Sequence, residues 1–73
     1  MKKEANSIIS HLEKGFSELQ DLISRRDDLF NSRSDKWQES DRGAEFYDKT
    51  YEIEDIMYEL ESLIDNIKDV LYE

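Results

Sequence analysis

Apolar residues recur every three or four positions in two stretches, one on each side of a polar segment around residue 37. In each stretch they form three neighbouring rows on a helical surface, and no proline interrupts either stretch. This spacing predicts two long amphipathic helices, from about residue 3 to 34 and from about 42 to 72. The rows are Ile9, Phe16, Ile23 and Phe30; Ala5, Leu12, Leu19 and Arg26; Ile8, Gly15, Leu22 and Leu29; then Phe46, Ile53, Leu60 and Ile67; Thr50, Met57, Ile64 and Leu71; Ile56, Leu63 and Val70.

The polar segment from about residue 32 to 43 predicts a corner at which the chain reverses. It holds the only tryptophan, Trp37, and one of the two glycines, Gly43. Ser40 or Asp41 is a suitable N-cap for the second helix, because either side chain accepts a hydrogen bond from the free amides of the first turn.

The two helices match layer by layer when Trp37 is placed opposite Phe46. In that register Arg33 faces Thr50, and the apolar rows meet without a gap down to the far end of both helices. Arg26 then faces Met57, with acidic side chains such as Asp48 and Glu54 as candidate ion-pair partners for the arginines. The sequence therefore predicts an all-α fold in which residues 1–73 form a single antiparallel two-helix hairpin, with Arg33, Trp37 and Phe46 as its structural corner.

Each predicted helix has an apolar arc that is wider than one neighbouring helix covers. The uncovered rows would leave a large apolar patch in water, which is unusual for a small acidic chain. We therefore expect a homo-oligomer, most simply a dimer of hairpins that forms a four-helix bundle; a helix pair from a different protein is the alternative. The expected oligomer interface is Ile8, Leu22, Leu29, Ile56, Leu63 and Val70.

The formal charge of -9 is unevenly distributed, and this changes which partners are expected. Residues 1–31 carry six acids and five bases, whereas residues 43–73 carry ten acids and two bases. Direct nucleic-acid binding is not expected, because phosphate contacts need Lys and Arg. The mean hydropathy of -0.88, the absence of cysteine and the lack of a long apolar run after the N-terminus predict a cytoplasmic protein without a membrane partner.

The outer side of the second helix predicts a binding surface for another protein. Carboxylates form a continuous strip there, and tyrosines, which are common in binding patches, run beside it. Two other interpretations stay open: the acids serve solubility alone, or they mimic a phosphate backbone and inhibit a DNA-binding protein. The expected partner-binding residues are Glu45, Asp48, Tyr51, Glu52, Asp55, Tyr58 and Glu59.

Residues suited to catalysis or to metal binding are few. His11, the only histidine, falls on the outer side of the first helix. Two acidic pairs, Glu18 with Asp21 and Glu52 with Asp55, have a spacing seen in helical Mg²⁺ sites, but both point away from the other helix. We therefore expect no enzyme, cofactor or metal site; a Mg²⁺-dependent nucleotide hydrolase is the least favoured alternative.

The corner sequence from Arg33 to Ser40, followed by Gly43, resembles a motif of short uncharacterised helical proteins from bacteria, phages and mobile elements. That motif reads close to R-S-x-K-W-Q-E-S-x-x-G and is followed by an aromatic residue, here Phe46 and Tyr47. The match covers about a fifth of the chain. The resemblance implies a mobile-element setting, with a regulatory or counter-defence role, and it supplies no functional residues.

Overall fold

All of the regular structure described is helical. The computed structural model describes residues 2–72, and Met1 and Glu73, the two ends of the predicted domain, lie outside that range. Helix α1 spans Lys2–Ser32, a four-residue helix α2 spans Asp35–Gln38, and helix α3 spans Asp41–Leu71. The all-α prediction is confirmed, and α1 packs along α3. The pattern of apolar residues did not predict α2, which lies within the polar segment.

The two long helices run in opposite directions. Near the start of α1, the Tyr72 hydroxyl hydrogen-bonds to Asn6 Oδ1. About two turns further along α1, Glu13 pairs with Lys68 at 3.6 Å. Towards the other end of α1, Arg26 reaches α3. The extents of 54 × 15 × 11 Å show that the fold is a single layer of two helices.

The core is a narrow seam between these helices. Its buried apolar residues are Ala5, Ile9, Ile23, Met57 and Ile64. None of the side chains from residue 2 to 72 is less than 2% exposed. The row Phe46, Ile53, Leu60 and Ile67 is only half-buried. One helix therefore covers only part of the apolar arc of the other, as geometry requires.

The register differs from the predicted layers at Arg26 and Arg33. Arg26 Nε donates to Thr50 Oγ1 at 2.8 Å, and Arg26 Nη2 donates to the Phe46 carbonyl at 3.1 Å. The Arg26 guanidinium also lies over the Phe46 ring, 4.0 Å from its centroid. The predicted pairing of Arg33 with Thr50 and of Arg26 with an acid is therefore wrong, because a long side chain spans more than one layer and finds an aromatic ring instead.

Arg26→Lys should lower the free energy of unfolding by about 1–2 kcal/mol. A single ammonium cannot bond both Thr50 and the Phe46 carbonyl while it also lies over a ring. Urea denaturation followed by circular dichroism measures the change. Arg25→Lys is the matched control, because Arg25 is the exposed neighbour; an equal loss in both variants would contradict the role assigned to Arg26.

Candidate protein-interaction surfaces

Polar side chains of the corner satisfy the free backbone groups of the helix ends. The backbone N–H of Trp37 donates to Ser34 Oγ at 3.2 Å, so Ser34 caps α2. The Gly43 N–H donates to Ser40 Oγ at 3.2 Å, so Ser40 caps α3. The Ser40 hydroxyl in turn donates to the Trp37 carbonyl. Gln38 Nε2 lies 3.0 Å from the carbonyl oxygens of Phe30 and Arg33, and donates to both near the end of α1.

Aromatic rings close the corner end of the seam. The Trp37 ring lies edge-on to Phe30 and to Phe46, with centroids 5.8 Å apart in each pair. Tyr47 extends the cluster at 5.6 Å from Phe30. The exposed Arg33 stacks over Trp37 at 4.5 Å from the ring centroid. Arg33, Trp37 and Phe46 are thus brought together, although Trp37 is only half-buried.

Gly43 is required by this corner. A Cβ at residue 43 would lie 2.2 Å from the Trp37 carbonyl oxygen and 2.7 Å from that of Gln38. Both neighbours are backbone atoms, which cannot move aside as the end of a side chain would. The close passage of α2 over the first turn of α3 therefore depends on a residue without a side chain.

The six residues of the predicted oligomer interface lie on one side of the helix pair, which we call the apolar face. Val70 is 71% exposed, and Ile8, Leu29, Ile56 and Leu63 are 50–56% exposed; Leu22 is half-buried. The contacts of Tyr72 with Asn6 and of Lys68 with Glu13 come from helix rows on the opposite side of the seam. The chain itself therefore leaves the apolar face largely uncovered.

Gly15 makes a notch in the apolar face, between Ile8 and Leu22 on the same row of α1. A Cβ at residue 15 would meet no heavy atom within 4 Å outside its own helix backbone. A mid-helix glycine costs about 1 kcal/mol relative to alanine. Nothing in the contacts of a single chain offsets that cost, in contrast to Gly43.

The predicted partner-binding residues are all exposed on α3 and form what we call the acidic face: Glu45, Asp48, Tyr51, Glu52, Asp55, Tyr58 and Glu59. None of these acids forms an ion pair; the one ion pair within residues 2–72 joins Lys68 to Glu13. The Tyr58 hydroxyl donates to Glu54 Oε1 at 3.3 Å. The charge of Glu54 and this hydrogen bond, followed by burial and the charges of Glu61 and Asp55, raise the pKa of Tyr58 above its usual value. The acidic face therefore carries a net negative charge.

The remaining candidates for chemistry are dispersed. His11 is exposed, and its Nδ1 lies 2.7 Å from the Ser7 carbonyl oxygen on its own helix. Glu18 and Asp21 are also exposed on α1. In the described part of the chain, no three His, Asp or Glu side chains come together in a group that could hold a metal ion.

Neither the long helices nor the short one contains, within residues 2–72, a segment long and apolar enough to cross a membrane. Comparisons of the chain with protein-family models, with curated proteins and with solved structures found no match. The resemblance to short helical proteins of bacteria, phages and mobile elements therefore stays a prediction based on the corner motif. The structure gives Ser34, Gln38, Ser40 and Gly43 of that motif roles in the corner itself.

Proposed function

We propose that this chain is a non-enzymatic protein-binding module. In this proposal two copies associate through the apolar face, forming a four-helix bundle of two hairpins, and the acidic face binds a basic protein. The observation that carries the proposal is the opposite character of two exposed surfaces on one thin helix pair: large apolar side chains on one, unpaired carboxylates and tyrosines on the other.

The small core supports the proposal of self-association. A chain of 73 residues buries a modest fraction of its surface, and here the seam is one layer deep. Five apolar side chains at least half exposed on one face exceed the scattered exposure that is normal for a monomer. A second copy would bury these side chains and so enlarge the core of both hairpins. Unlike a different protein, it is always present together with the chain.

The charge of α3 supports the proposal of a basic partner. The acids of the acidic face lie along one helix and form no ion pair, so their field extends into solvent and speeds the approach of a positively charged surface. Tyr51 and Tyr58 add flat, amphipathic contact area beside them. As part of the same proposal the module acts in the cytoplasm, and the motif resemblance suggests regulation or counter-defence in a phage or mobile element.

Reversing three charges of the acidic face should abolish partner capture and leave the fold intact. In Glu52→Lys, Asp55→Lys, Glu59→Lys the exposed side chains have no ion pair to lose within their own chain, so helix content should stay close to that of the parent. A pull-down from the native host with parent and variant as bait, quantified by mass spectrometry at two salt concentrations, measures the effect.

The matched control reverses three exposed acids of α1 by the same total charge: Glu4→Lys, Glu18→Lys, Asp21→Lys. Capture should survive this change. Equal loss in both variants would mean that net charge alone attracts the protein, and the acidic face would not be a site. If the captured protein binds DNA and the parent chain competes with that DNA, the acidic face acts as a phosphate-backbone mimic.

A further inference from the structure

We infer that the second copy lies on the apolar face with the two-fold axis parallel to the helices. Helix α1 of each copy then packs against α3 of the other, and the two α3 helices occupy opposite corners of the bundle. This inference rests on the self-association proposed above and adds which helices meet, at which level and for what physical reason.

Only two symmetric arrangements place one apolar face on another with the helices aligned. A two-fold axis parallel to the helices puts α1 on α3 of the second copy and keeps every residue at its own level. An axis across the helices puts α1 on α1 and α3 on α3, with the levels inverted. Both are isologous, so each contact occurs twice.

Charge favours the axis parallel to the helices. Residues 43–73 carry ten acids and two bases, whereas residues 1–31 carry six acids and five bases. Glu52 and Glu59 lie one turn before Ile56 and Leu63, at the border of the apolar face. The crosswise arrangement would bring Glu52 of one copy beside Glu59 of the other; the parallel axis brings Glu52 close to Arg25 of the second copy instead.

The positions of Gly15 and Leu63 on the apolar face also favour the axis parallel to the helices. The contact of Glu13 with Lys68 places the notch at Gly15 within about one turn of Leu63, across the seam on α3. Leu63 protrudes and is 55% exposed. A parallel axis keeps levels unchanged, so Leu63 of each copy lies within about one turn of Gly15 of the other. Because Leu63 and Gly15 lie at similar levels on different helices, the Leu63 side chain of each copy can fill the space left by Gly15 of the other.

Cysteine cross-linking tests the inference cleanly, because the chain has no cysteine of its own. A tagged Leu22→Cys variant is refolded with untagged Ile56→Cys and oxidised; Ile8→Cys with Val70→Cys is a second, independent pair. We expect mixed disulfides in both mixtures, and little homodisulfide from Ile56→Cys alone. A disulfide needs Cα atoms within about 7 Å, which facing residues of adjacent helices reach and residues on diagonal helices do not.

Asp55→Cys mixed with Leu22→Cys measures random collision, since the exposed Asp55 lies on the outer side of α3. Sedimentation of the unmodified chain accompanies the cross-linking. A dimer whose Ile56→Cys variant links to itself in preference to Leu22→Cys would overturn the inference and keep the dimer. A dimer with mixed disulfides at the collision level in both pairs would overturn it too. A monomer at micromolar concentration would remove both the inference and the self-association on which it rests.

Discussion

Gly43→Ala should destabilise the fold by about 3 kcal/mol. The added Cβ would lie 2.2 Å from the Trp37 carbonyl oxygen, far inside van der Waals contact, and 2.9 Å from the Gln38 carbonyl carbon. Relief requires α2 to move away from α3. That movement would strain the hydrogen bond between the Ser40 hydroxyl and the Trp37 carbonyl and separate the Trp37 and Phe46 rings.

Gly15→Ala is the matched control, because it makes the same chemical change in the other long helix. Nothing lies within 4 Å of the added Cβ, so the single chain should gain about 1 kcal/mol from the better helix propensity of alanine. Chemical denaturation of both variants measures the contrast. The measurement is made below the concentration of self-association, so that any packing of a second copy at the notch does not enter. Similar stability for the two variants would show that the corner tolerates a side chain at residue 43.

Leu63→Glu should weaken self-association by about 100-fold or more in the dissociation constant. In the proposed dimer each copy would bury one carboxylate among apolar side chains, so the cost of desolvating a carboxylate is incurred twice per dimer. Sedimentation equilibrium over a concentration series measures it. Helix content at low concentration should not change, because Leu63 is already 55% exposed in the single chain.

Ser62→Glu provides the comparison for that experiment. Ser62 precedes Leu63 in the same helix and is also exposed, but it lies on the outer side of α3. The two variants therefore have the same charge and nearly the same position, and they differ only in the face that carries the carboxylate. Equal weakening by both would point to general repulsion between acidic chains, and no weakening by either would remove the apolar face from the interface.

The helices and the seam could be predicted from the sequence because they depend on local periodicity. Thr50, Met57 and Ile64 are buried as the spacing of their row indicates, whereas Leu71, the last residue of that row, is 40% exposed at the end of α3. The exposed part of the apolar face also follows from periodicity, since one helix cannot cover three rows of its neighbour. Whether another chain covers that face is not encoded in the period of one helix, and it stays a prediction.

The corner could not be predicted to the same depth, because its contacts join residues whose relation is tertiary. Ser34 followed by Asp35 is an N-cap signal that points to α2, but four residues are too few for a periodic pattern. The two bonds of Gln38 to the end of α1 depend on where α2 turns. Gly15 and Gly43 look alike in the sequence, and only the surrounding atoms show that one is required by the single chain.

The corner also sets how much chain must be ordered to form each contact. Gln38 and the Phe30 carbonyl are 8 residues apart, Arg26 and Thr50 are 24 apart, and Asn6 and Tyr72 are 66 apart. Because loop-closure entropy grows with the logarithm of loop length, closing the last of these loops costs about 2 kcal/mol more than closing the first. Each contact made nearer the corner shortens the loop that the next one has to close. The segment that carries the tryptophan is therefore the point from which the two helices can zip together at the lowest entropic cost.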